Sequence, residues 1–286
     1  DGASSLAKRV NVPPILIGLT VVAFGTSLPE LLVNIIASIE GNADIAIGNI
    51  FGSNISNILL ILGTIALFYP FIINKNTAFK EIPLSLISAL GTLVLVSDGM
   101  LSAADGLILL LFFGLFVYYI ISLTKQKGTS EEITKLSYTK TIISIVLGVI
   151  LLPLGGKLVI DNATTLADMF KINQGIIAFL LIGLGTSLPE FFASIMAARK
   201  KEVGLSVGNI MGSVLFNTFF ILGFSAIISP IPFNNVAIMD SVGYAIATLS
   251  FLIVAIFGRR YVINGPVGIT FLLMYFGYIG YKIISI

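Results

Sequence analysis

The chain has 286 residues, of which 57% are hydrophobic and only 10% are charged, and its formal net charge is +2. A soluble domain carries roughly 25% charged residues, and it cannot hide this much apolar surface from water. The sequence contains no cysteine and no histidine, which excludes disulfides, thiolate metal sites and imidazole proton relays. No basic cluster suggests nucleic-acid binding, and the composition predicts a protein that spans a membrane.

Apolar segments separated by Gly, Pro, Asn and charged residues predict a series of helices. Their predicted bounds are 1–10, 13–40, 44–68, 79–97, 104–124, 139–168, 174–199, 203–228, 236–257 and 262–284. The longest polar stretch, 125–140, follows the fifth of these segments. We therefore divide the chain into a first half at 1–124, a linker at 125–138 and a second half at 139–286.

The two halves are copies of one another. A shift of 160 residues places the hexapeptide Gly25–Glu30 on Gly185–Glu190 with identity at all six positions. The same shift aligns a second polar motif, Gly48-Asn49, Gly52-Ser53 and Asn57, with Gly208-Asn209, Gly212-Ser213 and Asn217. Unrelated hydrophobic stretches share Leu and Ile by chance but do not share such a polar register. The sequence therefore contains an internal repeat.

The repeat predicts how the helices insert. An apolar helix precedes Asp161, whereas the aligned residue of the first half is Asp1. By symmetry we expect about 20 further residues at the N-terminus, which is most of one span. A full chain then has ten helices, and because five per repeat is odd, the second repeat must insert upside down. The predicted fold is an all-α polytopic membrane protein of two inverted five-helix repeats.

Charge placement predicts the orientation. A cytoplasmic linker at 125–138 puts 13 of the 16 Lys and Arg residues into cytoplasmic loops, as the positive-inside rule requires. The opposite side then holds many of the acids: Glu40, Asp44, Asp98, Asp105, Asp161, Asp168 and Asp240. We interpret the last five of these as helix-end or loop residues. The predicted location is the cell membrane, with several spans.

Two carboxylates, Glu30 and Glu190, fall near the middle of apolar segments. An ionisable group at that depth costs roughly 2.5–3.5 kcal/mol and is a functional candidate by default. Each follows a proline, which opens the local helix and frees backbone carbonyls. Broken helices are tolerated where they line a cavity, and their carbonyls can coordinate Na⁺. The carbonyls considered are those of Ala23, Thr26, Gly183 and Thr186.

A neighbouring helix in each repeat adds oxygen atoms. Asn49, Ser53 and Asn57 lie four residues apart and form one polar stripe, and Asn209, Ser213 and Asn217 repeat it. Asn49 and Asn209 could equally be hydrogen-bonding or capping residues between helices. Oxygen-only coordination suits hard cations such as Ca²⁺. Two carboxylates match one Ca²⁺, two Na⁺ or two protons, and this balance permits exchange without choosing among these ions.

The duplicated Gly-Thr-Ser-Leu-Pro-Glu, followed by Gly-Asn-x-x-Gly-Ser-x-x-x-Asn, resembles the alpha repeats of the cation/calcium exchanger superfamily, in particular its prokaryotic sodium/calcium exchangers. The resemblance covers both repeats. It implies that Ca²⁺ is held by both glutamates and by the carbonyls of the adjoining threonines, and that Na⁺ sites add four serines and two further carbonyls. The implied residues are Glu30, Glu190, Thr26, Thr186, Ser27, Ser53, Ser187, Ser213, Ala23 and Gly183.

One position departs from the family pattern. Many sodium-coupled relatives have an aspartate where this chain has Asn217, and Asn57 is also neutral. The missing third acid argues against potassium dependence and weakens the expectation of three Na⁺ per cycle. The chain also lacks the Gly-Asn-x-x-Glu pattern of proton/calcium antiporters, since Ser53 and Ser213 occupy the relevant positions.

The predicted function is antiport of Na⁺ and Ca²⁺ by alternating access at one midplane site, with the ions as substrates and no cofactor, enzyme activity or obligatory protein partner. The first alternative is exchange of Ca²⁺ or another divalent cation for H⁺ through the same two glutamates. A passive channel is a second alternative. An intramembrane protease with paired acids is a third, and the absence of a nucleophile–base pair argues against it.

Overall fold

The computed structural model describes residues 1–125, 136–169, 185–258 and 261–285, and within these ranges the chain is mostly helical. The helices are α1 (Gly2–Arg9), α2 (Pro14–Thr26), α3 (Leu28–Ile39), α4 (Ala43–Phe68), α5 (Thr77–Leu95), α6 (Ala103–Leu123), α7 (Tyr138–Met169), α8 (Leu188–Arg199), α9 (Val203–Ile228), α10 (Asn235–Phe257) and α11 (Gly265–Ser285). The described ranges also contain four two-residue strands, namely β1 (Phe71–Ile72), β2 (Met100–Leu101), β3 (Ile231–Pro232) and β4 (Val262–Ile263).

Within the described ranges, seven helices are long and apolar enough to cross a bilayer, and the bent pair α2 and α3 passes the same test when taken together, which gives up to eight spans. The protein is therefore a multi-pass membrane protein, as the composition predicts. The predicted helix bounds agree closely: the segment 44–68 is α4, and 203–228 is α9. The predicted helix 174–199 is described only from residue 185, and most of the predicted linker lies outside the described residues.

The short strands reveal the inversion of the repeats. β1 pairs with β4, and β2 pairs with β3, so each antiparallel ribbon takes one strand from each repeat. Helix α5 connects β1 to β2 and has 19 residues, or about 28 Å. Helix α10 connects β3 to β4 in the same way. This pairing requires α5 and α10 to run in opposite directions, as the predicted inverted repeat requires.

Glycines bring α9 against α2. A Cβ atom on Gly208 would lie 2.5 Å from the carbonyl oxygen of Ile15, and one on Gly212 would lie 2.8 Å from the Cα atom of Leu19. Any side chain at these two positions would therefore collide with backbone. Small residues permit this kind of close helix crossing in membranes, and the crossing brings the polar stripe of α9 beside the break after α2.

Two repeat-equivalent segments have π-helical geometry rather than the uninterrupted α-helix expected from the apolar pattern. They are Ser56–Ile61 within α4 and Phe216–Leu222 within α9. Each contains, at its second position, one of the candidate asparagines, Asn57 or Asn217. A π turn displaces the following side chains from the α-helical register, and such turns are frequent at functional sites.

The interpretation of Asp240 as a helix-end or loop residue is wrong. Asp240 lies within α10 and is 3% exposed, and its carboxylate oxygens accept hydrogen bonds from Lys282 at 2.7 and 2.8 Å. Tyr278 donates a third bond at 3.1 Å. Asp105, by contrast, closes a capping box at the start of α6, as expected of a helix-end acid. The side chains of Asp161 and Asp168 lie outside the described structure.

Candidate cation site

The break between α2 and α3 bends the chain by 48° at Ser27. Pro29 occupies the first turn of α3, where its missing N–H removes no hydrogen bond of the helix. The predicted freeing of the Ala23 carbonyl does not occur here, because it accepts a hydrogen bond from the Ser27 N–H at 2.9 Å. In the second repeat, Pro189 likewise occupies the first turn of α8. Gly183 lies outside the described residues.

The two glutamates occupy equivalent positions at the starts of the aligned helices α3 and α8. Glu30 lies in the first turn of α3 and Glu190 in the first turn of α8, and both side chains are 0% exposed. A helix N-terminus carries a partial positive charge that stabilises a nearby carboxylate. Both acids therefore lie in the interior at helix N-termini, and charged groups at such helix ends are typical of ion sites in transporters.

Serine hydroxyls from both repeats converge on Glu190. Ser27, from the opposite break, donates a hydrogen bond to its Oε1 atom at 2.9 Å, and Ser213 of α9 donates to the same atom at 3.4 Å. The hydroxyls of Thr186 and Ser53 lie beside Glu30, but no described donor hydrogen-bonds to either of its carboxylate oxygens. Buried carboxylate oxygens without donors need a cation or a proton.

Asn49 and Asn209 tie the two repeats together. The Thr186 hydroxyl donates to Asn49 Oδ1 at 3.2 Å, and the Thr26 hydroxyl donates to Asn209 Oδ1 at the same distance. Asn49 also donates to the Glu30 carbonyl at 3.1 Å. Of the two roles considered for these residues, the structure favours hydrogen bonding between helices.

Sequence reasoning missed the residues that orient these two amides. Asn34 Oδ1 accepts a hydrogen bond from Asn49 Nδ2 at 2.5 Å, and the Ser194 hydroxyl accepts one from Asn209 Nδ2 at 2.9 Å. Asn34 and Ser194 are aligned by the 160-residue shift but differ in type. A comparison limited to identical residues therefore passes over them. The sequence did contain a signal for them, because both are polar and both lie one turn after a glutamate.

All the predicted site residues that the structure describes are buried, each at most 6% exposed. They are Ala23, Thr26, Ser27, Glu30, Ser53, Asn57, Thr186, Ser187, Glu190, Ser213 and Asn217. In the part of the chain that the structure describes, no third acid joins Glu30 and Glu190. The site therefore combines two carboxylates with hydroxyl, amide and backbone oxygens, a donor set suited to hard cations.

Residues 1–122 and 140–284 match the family described as sodium/calcium exchanger protein. The chain belongs to this family. The exchanger is 38% identical to the inner membrane protein YrbG of Escherichia coli over 239 residues, which cover 80% of this chain and 74% of YrbG. It is 35% identical to the putative antiporter CaxA of Alkalimonas amylolytica, with 97% of this chain and 90% of CaxA aligned.

A solved structure of the sodium-calcium exchanger NCX_Mj, soaked with Na⁺ and Ca²⁺, superposes on this exchanger with a TM-score of 0.83. The two sequences are 32% identical, and the superposition covers 98% of this chain and 90% of NCX_Mj. The resemblance inferred from the duplicated motifs is confirmed. The chain therefore shares the fold of NCX_Mj over nearly its whole length.

Proposed function

We propose that this exchanger moves Na⁺ and Ca²⁺ in opposite directions across the membrane, using one site that opens alternately to each side. One observation carries the proposal: Glu30 and Glu190 are fully buried, and carboxylate oxygens of both lack a hydrogen-bond donor among the described residues. Burying two such charges is costly unless cations neutralise them. The solved exchanger soaked with Na⁺ and Ca²⁺ supports this choice of ions.

The proposed ligands combine both repeats. Ca²⁺ would be held by the carboxylates of Glu30 and Glu190 and by the carbonyls of Thr26 and Thr186. Na⁺ would use the same carboxylates with hydroxyl, amide and carbonyl oxygens: Ser27, Ser53, Ser187, Ser213, Asn57, Asn217, Ala23 and Gly183. The two ions then compete for shared ligands, and this competition is the physical basis of exchange.

Charge limits the stoichiometry. Two carboxylates balance one Ca²⁺ or two Na⁺. We therefore propose that two Na⁺ bind at the carboxylates, and that a third would have to bind to neutral oxygens alone, with a weaker electrostatic attraction.

The moving part is proposed to be α1 together with α7. These helices contact each other through the hydroxyls of Ser5 and Thr141, 2.8 Å apart, and through Gly2, where a Cβ atom would lie 2.8 Å from the Ile145 side chain. Such a pair can move as one body against the helices that carry the glutamates. Hinge and shear motions of this kind change which side of a transporter is open.

The coupling ion is tested in proteoliposomes with radioactive Ca²⁺ outside. A gradient of Na⁺, of K⁺ or of protons is imposed across the membrane, one at a time. We expect an outward Na⁺ gradient to drive Ca²⁺ uptake, and K⁺ or proton gradients to leave uptake at the level of ion-free controls. Uptake driven by a proton gradient without Na⁺ would instead establish Ca²⁺/H⁺ exchange. Flux that needs no counter-ion would indicate a channel.

Orientation is testable because the chain has no cysteine of its own. We propose that the segment 125–138 faces the cytoplasm. A single cysteine at Ser130 is then expected to react with a membrane-impermeant maleimide only in inside-out vesicles, and one at Asn42 only in right-side-out vesicles. The reverse pattern for both variants would contradict the proposed topology.

A further inference from the structure

Asn57 and Asn217 are equivalent in the repeat but have different surroundings. Both side chains are 0% exposed. Asn217 Nδ2 donates a hydrogen bond to Asn54 Oδ1 at 3.2 Å, whereas neither amide atom of Asn57 has a partner among the described residues. The sequence explains the difference, because the repeat counterpart of Asn54 is Val214, which has no polar atom in its side chain.

The direction of these hydrogen bonds is fixed by a backbone carbonyl. The Thr218 hydroxyl donates to the carbonyl of Val214 at 3.0 Å, so it must accept from Asn54 Nδ2, 2.9 Å away. Asn54 therefore directs its Oδ1 atom towards Asn217, and Asn217 can only offer its NH₂ group in return. The Asn217 Oδ1 atom is left buried, without a partner among the described residues. Asn217 lies one turn after Ser213, which contacts Glu190.

The hydrogen bonds that hold Asn54 continue away from the site. The Thr218 hydroxyl lies 3.4 Å from the hydroxyl of Tyr244, which lies 2.7 Å from that of Ser88. Both Asn54 and Tyr244 are 0% exposed. A buried polar network in which each member has partners is rigid, because breaking any bond leaves an unpaired group in a low dielectric. The orientation of Asn54 is therefore held by the helices around it.

We propose that Asn54 is a positioning residue that turns the carbonyl oxygen of Asn217 towards the transported cation. This inference rests on the proposed function, because it assigns a ligand orientation within the same site. An amide turned the other way would present N–H groups, which repel a cation. Asn57 has no such hydrogen-bond partner among the described residues, so the two halves of the site, as far as it is described, are chemically unequal.

The test replaces Asn54 by valine, the residue found at its repeat counterpart. Purified full-length protein is titrated with CaCl₂ and with NaCl by calorimetry, and exchange is measured in proteoliposomes. We expect the dissociation constant of Na⁺ to rise about fivefold, which corresponds to the loss of one hydrogen bond that orients the ligand. The maximal exchange rate at saturating ion concentrations is expected to stay within about twofold of wild type, because the glutamates are unchanged.

A double-mutant cycle with Asn217→Ala separates positioning from a structural role. If Asn54 acts through Asn217, Asn54→Val has no further effect on Na⁺ binding in the Asn217→Ala background. An equal loss in both backgrounds, or no loss in either, would overturn the inference. If Asn54→Val does not fold, Thr218→Val serves instead, because it removes the acceptor that fixes Asn54 and should give the same dependence on Asn217.

The two proposals fail in different ways. A wild-type protein that binds Na⁺ and Ca²⁺ but does not exchange them contradicts the proposed function, and the binding cycle still decides the role of Asn54. A wild-type protein that binds neither ion contradicts both proposals.

Discussion

Replacing Glu30 or Glu190 by glutamine is expected to reduce Na⁺-driven Ca²⁺ uptake to less than about 1% of wild type. A carboxylate in contact with a cation contributes several kcal/mol at an effective dielectric constant of about 20, and each ~1.4 kcal/mol is tenfold in affinity. Glutamine keeps the size of the side chain and one oxygen but removes the charge. Radioactive Ca²⁺ uptake into proteoliposomes under an outward Na⁺ gradient measures the effect.

The matched control is Glu40→Gln, since Glu40 ends the same helix as Glu30 but is exposed. It should retain uptake close to wild type. The folded state is followed by thermal unfolding: Ca²⁺ should raise the melting temperature of wild type and of Glu40→Gln, but not of the two site variants. Without ions, the site variants should melt no lower than wild type, because each loses a costly buried charge. Substantial uptake by either site variant would remove the glutamates from the proposed mechanism.

The second large effect concerns stability. Asp240→Asn is expected to destabilise the protein by about 3–5 kcal/mol, because it leaves the charge of Lys282 buried without its main counter-ion. The two side chains are only 4% and 6% exposed in the ion pair. The melting temperature in detergent should fall by about 10 °C.

A double replacement makes this prediction sharper. Asp240→Leu combined with Lys282→Leu removes both charges and is expected to restore most of the stability, since apolar replacements of buried ion pairs are often neutral or stabilising. Lys200→Met is the control, because the Lys200–Asp1 pair is exposed and such pairs contribute about 0–1 kcal/mol. If Asp240→Asn melted like wild type, the pair would not be a structural element of the second repeat.

The fold could largely be predicted from the sequence because its determinants are local. A content of 57% hydrophobic residues indicates a membrane protein, and Gly, Pro and charged residues divide the apolar sequence into spans. The polar register of the two hexapeptides reveals the duplication, and an odd number of spans per copy requires inversion. The break at Ser27 also follows from local chemistry, because proline is favoured in the first turn of a helix, which is where Pro29 lies in α3.

The details of the site depended on residues far apart in the chain. The sequence predicts that Thr26 and Thr186 belong to the site, but not that their hydroxyls bind the amides of Asn209 and Asn49. The pairing of Asp240 with Lys282 joins two different helices, and the sequence alone therefore predicts only a helix-end or loop residue at Asp240. No local pattern encodes such contacts, because they arise only when the helices pack.

The two copies of the motif also separate what the sequence determines from what the tertiary structure determines. The sequence by itself determined that Glu30 and Glu190 lie within apolar spans, since the position of a charge in a hydrophobic segment is a local property. The sequence shows Asn57 and Asn217 as equals, and only the tertiary structure distinguishes them. Asn54 reaches Asn217, whereas the counterpart position carries Val214, and a hydrogen bond between helices exists only where packing brings a donor to an acceptor.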